Sequence, residues 1–348
     1  MLAYWALFAF FAVGAVFDVR NPPDLRRARP IWLFGGVMTA LMIGLRYKVG
    51  ADWETYGFIF DATGYFDFWR VINMGDPGFQ ALNYAVQHLG GEVWWVNLVC
   101  GILFTSGLFR LARTQPYPWL AILVAIPYMV IVVSSYTRQG AALGILMAGL
   151  ASLIRGKSVA RFVVYVAIAA TFHRTAVAVL PLVVFAKPNN RFLNLLAGLA
   201  ACYALYDFFL ADSMENFVEN YIKREYSSQG AAIRIAMEVL SAVIFLSRRK
   251  EFGFREFEDR IWYYFSIATF GALAFLLLTP SSTAVDRLSL YLMPLQLVIL
   301  SRVPFIYTSR SFGVAVIAAY SFAVEFVWLN FATHAQYWLP YQVYPIFD

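Results

Sequence analysis

Residues 46–56 read Arg-Tyr-Lys-Val-Gly-Ala-Asp-Trp-Glu-Thr-Tyr, which places two cations and two carboxylates directly after an apolar run. A carboxylate among fixed cations, here Asp52, is suited to orienting an arginine, binding sugar hydroxyls or accepting a proton. A second polar knot, Ser134-Ser135-Tyr136-Thr137-Arg138-Gln139-Gly140, joins two apolar runs with more hydrogen-bonding capacity than a turn needs. A third, His173-Arg174, interrupts an otherwise apolar stretch. An unperturbed imidazole titrates at about 6.5, so His173 is a candidate general base at neutral pH. Arg46, Arg138, Arg174, Arg234 and Arg287 all stand at ends of apolar runs. A lone arginine there snorkels to headgroups, but several on one face describe an anion site, because the planar guanidinium binds phosphate bidentately. Asp286-Arg287, with Tyr291 one turn on, admits two readings: an internal pair, or Arg287 as a further phosphate ligand. His88 and His334 have less polar company and read as structural or interfacial. Three distant histidines and the absence of an acidic pair such as DxD argue against a catalytic metal, and no cofactor motif is present.

These residues are set in a chain of 348 residues, 61% hydrophobic and 14% charged, whereas soluble domains carry about 25% charged residues. The solvent is therefore lipid, and the fold class is an all-α polytopic membrane protein forming one domain over residues 1–348. Apolar runs predict spans at 2–17, 31–46, 92–109, 118–133, 139–154, 192–211, 232–247, 261–279, 288–303 and 311–329. The first run lacks the flanks of a cleaved signal peptide and reads as a retained span. Cys100 and Cys202, both in apolar runs, read as packing residues. The formal charge of +6 raises nucleic acid as a partner, yet the cations form no continuous stripe, and nucleic acid is not expected.

The stretch Val159–Ala186 is too long for one upright helix and too short for two full ones. Read as a hairpin of two half-depth helices with its apex at His173, it puts 18 of the 27 Lys and Arg residues on one face. The positive-inside rule makes that face cytoplasmic. About twelve membrane segments follow, with both termini and the candidate residues on the outer face. The outer loop 47–91 is expected to hold amphipathic interfacial helices, and 212–231 a surface helix. Glu325 reads as the one carboxylate in the middle of a span, where a structural hydrogen bond is expected. No inverted repeat is evident, which disfavours a secondary transporter.

The order Arg46…Gly50-Ala51-Asp52…Tyr56, Asp76-Pro77-Gly78-Phe79, Arg138-Gln139, His173-x-Thr175-Ala176, Arg287…Tyr291 and Trp338-Leu339-Pro340-Tyr341 resembles the EpsG family of Wzy-type polysaccharide polymerases. The resemblance covers nearly the whole chain, with Asp76 where that family commonly has Glu. It implies transfer of a growing glycan from undecaprenyl pyrophosphate to another lipid-linked repeat unit on the periplasmic side of a bacterial inner membrane. The expected partners are then the undecaprenyl-pyrophosphate-linked oligosaccharide and membrane lipids, with room for a chain-length regulator. On this reading Arg138 and Arg287, with Arg46 and Arg234, hold the donor pyrophosphate, Tyr56 and Tyr291 line the substrate site, and His173 or Asp52 is the base. The alternatives are an O-antigen-ligase-like transferase and a flippase or transporter for lipid-linked glycans.

Overall fold

The computed structural model describes residues 1–20, 29–156, 158–186, 203, 230–278, 282–306 and 309–347. The predicted span 192–211 and almost all of the predicted surface helix 212–231 lie outside the described residues.

Each of the other nine predicted spans coincides with a helix. Helices α1 (Leu2–Arg20), α2 (Arg29–Gly44), α6 (Val93–Ala112), α7 (Pro118–Val133) and α8 (Thr137–Gly156) account for the first five. The loop between α2 and α6 folds into three short helices, α3 (Trp53–Thr63), α4 (Phe68–Asn73) and α5 (Pro77–His88). The ambiguous stretch divides at His173 into α9 (Val159–Phe172), a 3₁₀ turn (Arg174–Val179) and α10 (Leu180–Ala186). The bundle is completed by α11 (Ala231–Ser247), α12 (Glu256–Leu278), α13 (Ser282–Ser289), α14 (Met293–Ile306) and α15 (Arg310–Phe331). Among the described residues, five helical stretches are long and apolar enough to cross a membrane, and five further apolar helices are shorter. The chain is thus an all-α multi-pass membrane protein.

Burial separates central from peripheral helices. Most residues of Val285–Ile306 and of α8 are buried, whereas most of α12 is not, and it presents apolar side chains outward. Between α6 and α8 the backbones nearly touch: a Cβ on Gly107 would meet the Gly144 backbone. Small residues permit such close packing where no hydrophobic effect drives helices together. In α7, Pro127 lacks the N–H that an α-turn needs, and residues Ile126–Val130 widen into a π-turn. That turn presents the Tyr128 ring to Arg234, whose guanidinium carbon lies 5.0 Å from the ring centroid.

Beyond α15 the chain returns to the start of the loop between α2 and α6. Tyr47 N donates to Gln342 O at 3.0 Å, Gly50 N to Tyr337 O at 2.7 Å and Tyr344 N to Leu45 O at 2.8 Å. Trp338 Nε1 donates to Ile131 O, and Tyr341 Oη to Met42 O. Gly50 adopts φ +102°, and a Cβ there would lie 2.5 Å from Ser134 O. Only glycine combines that backbone with that approach.

Two membrane carboxylates depart from expectation. Glu325 is fully buried, but neither of its oxygens has a hydrogen-bond partner among the described residues, so the structural hydrogen bond is not made. Glu238, which lies within the predicted 232–247 span, is equally buried one turn from Arg234; Glu325 is therefore not the sole carboxylate within a span.

Candidate functional site

The start of α8, the break at His173, the starts of α3 and α5 and the end of α13 meet at one end of the bundle. Asp76 lies at their centre. Helix α5 begins at Pro77, whose fixed φ suits a first helical turn, and the Asp76 side chain makes no capping bond to its own helix. It accepts instead from Arg138 Nη1 at 2.8 Å and from the Arg174 amide at 3.2 Å, with Arg174 Nε at 3.7 Å. Arg174 Nη2 also donates to Gly75 O at 2.8 Å. The Asp76 side chain is 7% exposed, against 34% for Arg138 and 29% for Arg174. The carboxylate thus sits behind two guanidinium groups that face outward. Burial raises the Asp76 carboxyl above its usual range, against the pull of both arginines.

His173 has an extended backbone between two helices, so its ring projects from the break. Thr175 Oγ1 lies 2.7 Å and Tyr291 Oη 2.9 Å from Nδ1. Burial, then the charges of Arg138 and Arg287, push the imidazole pKa well below its ordinary 6.5. It is neutral at neutral pH. If Nδ1 carries the proton and donates to one of these hydroxyls, the Nε2 lone pair is free to accept one.

Arg287 forms the third corner. Its Nη2 lies 3.6 Å from Asp52 Oδ2, and its guanidinium carbon lies 4.0 Å from the Tyr136 ring centroid. The Gln139 side-chain amide donates to the Arg287 carbonyl, which ties the end of α13 to the start of α8. Tyr56 is buried on α3, edge-to-face with Phe79 at 5.7 Å. Burial raises its phenol pKa, against Arg138.

Six sequence-predicted residues therefore share one rim: Asp52, Tyr56, Arg138, His173, Arg287 and Tyr291. Arg46 and Arg234 lie beneath it. Arg46 is fully buried and donates to Ile43 O, Asn97 Oδ1 and Thr137 Oγ1. Arg234 is buried against Asp286, at 2.8 Å. Each holds the residue next to a rim arginine, Thr137 beside Arg138 and Asp286 beside Arg287. Both guanidinium groups, expected to contact substrate directly, face protein acceptors. Asp286 and Arg287 each have a partner from another element, Arg234 and Asp52.

Sequence reasoning counts Arg174 among the arginines of an anion site but gives Asp76, Thr175 and Gln139 no role in it. The available signal was Asp76 directly before Pro-Gly at a helix start, where a carboxylate freed from capping can serve another element. His88 stacks on Tyr84 at 3.7 Å and His334 on Tyr337 at 5.9 Å, in keeping with structural roles. Among the described residues, no three His, Cys, Asp or Glu side chains converge.

Neither curated proteins nor solved structures provide a match to this chain. The profile of the EpsG family matches residues 31–343, a stretch that contains every rim residue and ends at Val343, the bridge partner of Arg46; the chain belongs to the EpsG family.

Proposed function

We propose that this chain is a polysaccharide polymerase, a glycosyltransferase that passes a growing glycan from undecaprenyl pyrophosphate to another lipid-linked repeat unit. Family membership supports a polymerase-type function. The observation that carries the finer reading is the convergence of Arg138, Arg174 and Arg287 around a neutral histidine.

An acceptor sugar hydroxyl attacks the anomeric carbon of the donor. The new C–O bond forms as the bond to pyrophosphate breaks, and the leaving oxygen takes the electron pair. Arg138 and Arg287 stabilise that developing charge from fixed positions. His173 Nε2 accepts the hydroxyl proton, and Tyr291 and Thr175 hold its ring. Asp52 is the alternative base; its 3.6 Å approach to Arg287 favours instead a role in orienting that guanidinium. In this reading guanidinium groups carry the charge and no metal is required. Beside Arg234 an apolar cavity of about 420 Å³, lined by Tyr128, Ile233, Val324, Val327 and Trp328, offers a place for part of the polyprenyl chain.

Arg138→Ala and Arg287→Ala are each expected to slow polymerisation by roughly 10- to 150-fold, the equivalent of one charge-assisted contact of about 1.5–3 kcal/mol. Arg→Lys should restore little, because the bidentate fork is lost. The assay incubates purified protein with a short-chain lipid-pyrophosphate oligosaccharide and reads the product ladder. A wild-type ladder from either alanine variant removes that residue from the site. Transfer only to a non-glycan-lipid acceptor would point to a ligase.

We place this site at the periplasmic face of the bacterial inner membrane, with about twelve segments. The Phe185 and Tyr264 rings lie 6.0 Å apart, near the end of α12 that carries the Arg249–Asp259 pair. The chain thus turns back after His173, which supports the hairpin count and the 18-to-9 division of cations. In a Cys100- and Cys202-free background, a cysteine at Tyr65 should react with an impermeant reagent in intact cells. One at Ser158 should react only after permeabilisation, and the opposite pattern inverts the topology.

A further inference from the structure

At the end of the bundle opposite the rim, α6, α8 and α9 enclose a cavity of about 410 Å³ lined by Arg110, Ser152, Arg155, Arg161 and Tyr165. Helix α8 runs its 20 residues from Thr137 at the site to Gly156 at this cavity. At 1.5 Å per residue that is about 30 Å, the hydrocarbon thickness of a bilayer. No carboxylate lines the cavity, and none of its three arginines forms an ion pair among the described residues. Arg113 stands near enough for the charges of Arg29 and Arg155 to act on it.

A second cavity, about 320 Å³, lies between α2 and α6 and meets the first at Arg110. Its walls are apolar and aromatic, including Trp32, Val37, Ile102 and Phe109. Ile102, Ser106 and Arg110 follow one another at single-turn spacing along an exposed stripe of α6. An apolar groove therefore leads along the helix into a pocket of guanidinium groups. The positive-inside rule alone puts arginines in the inner loops, but does not gather three on one cavity without a counterion at the foot of a groove.

We propose that this end of the protein is a binding site for one anionic phospholipid of the leaflet opposite the candidate active site, with its phosphate held by Arg110, Arg155 and Arg161 and one acyl chain along the α2–α6 groove. The arginines supply the charge that a phosphodiester needs, and basic pockets between membrane helices suit lipid headgroups. The site is independent of the glycan chemistry proposed above.

The test uses the purified full chain in mild detergent and native mass spectrometry with dioleoyl phosphatidylglycerol and dioleoyl phosphatidylcholine. Wild-type protein should retain phosphatidylglycerol under activation that strips phosphatidylcholine. The paired substitution Arg155→Gln/Arg161→Gln should lower that preference by roughly ten-fold or more, with the melting temperature unchanged. Val37→Trp, which fills the groove at an exposed position, should also lower retention. Arg248→Gln/Arg260→Gln, which removes two other cations from the same face, should leave it intact. Equal retention of the two lipids by the wild type overturns the proposal without recourse to any variant. Undiminished preference in the paired variant, equal loss in the Arg248/Arg260 control, or glycerol 3-phosphate competing as well as the diacyl lipid would also overturn it.

Discussion

His173→Gln is expected to slow polymerisation by about 100- to 10,000-fold, the range that a positioned general base contributes. Donor binding, assayed separately, should be largely retained, because the arginines remain. The pH dependence carries the sharper test. Sequence alone places the acidic limb of the rate near 6.5, where a free imidazole titrates. In the structure, burial and the charges of Arg138 and Arg287 lower the pKa of this imidazole. A base acts in its neutral form, so a lowered pKa keeps His173 competent as the pH falls through 6.5, and the wild-type rate should stay flat there and decline only at lower pH. The same shift acts on stability: below 6.5 the unfolded chain takes up a proton that the folded chain resists, so stability is lost as the pH falls. In His173→Gln both effects should disappear. A variant with near-normal rates from pH 5 to 8 would make the histidine structural and pass the role to Asp52.

Asp76→Ala should also slow polymerisation, by a different route. It deletes the acceptor of Arg138 and of the Arg174 amide together, and losing a charge-assisted contact of this kind costs about 1.5–3 kcal/mol. If that loss appears in the transition state, the rate falls by roughly ten-fold or more. Asp76→Asn keeps an acceptor for the amide and should fold better, yet without the charge it should leave Arg138 poorly held and the product ladder short. Because burial raises the Asp76 carboxyl, its pairing with Arg138 weakens as the pH falls through that raised value. This limb should survive in His173→Gln, which separates the two groups in one experiment. Normal ladders from Asp76→Ala would show that Arg138 does not depend on it.

Helices were legible in the sequence because lipid requires each span to satisfy its own backbone, and so to appear as an unbroken apolar run. The break at His173 was legible because an ionisable pair inside such a run has no cheap structural explanation. Which helix ends adjoin was not, because apolar periodicity carries no pairing information. Asp76 lies 62 residues from Arg138, and Tyr291 lies 118 from His173. Nor does sequence tell whether an arginine at a helix end turns outward, as Arg287 does, or inward, as Arg46 and Arg234 do. Depth is decided by the acceptors waiting there: Asn97 and Thr137 for one, Asp286 for the other.

The strands of chain at Leu45–Gly50 and Tyr337–Tyr344 are bound edge to edge, though almost the whole sequence separates them. At about 5–20 residues per second, translation needs roughly 15–60 s to travel from one to the other. For that interval the loop bearing Asp52 has been made but lacks the segment against which it is built. A nascent chain already threaded into the bilayer is thus denied a finished rim, and the proposed chemistry waits until the last helix has been laid in place.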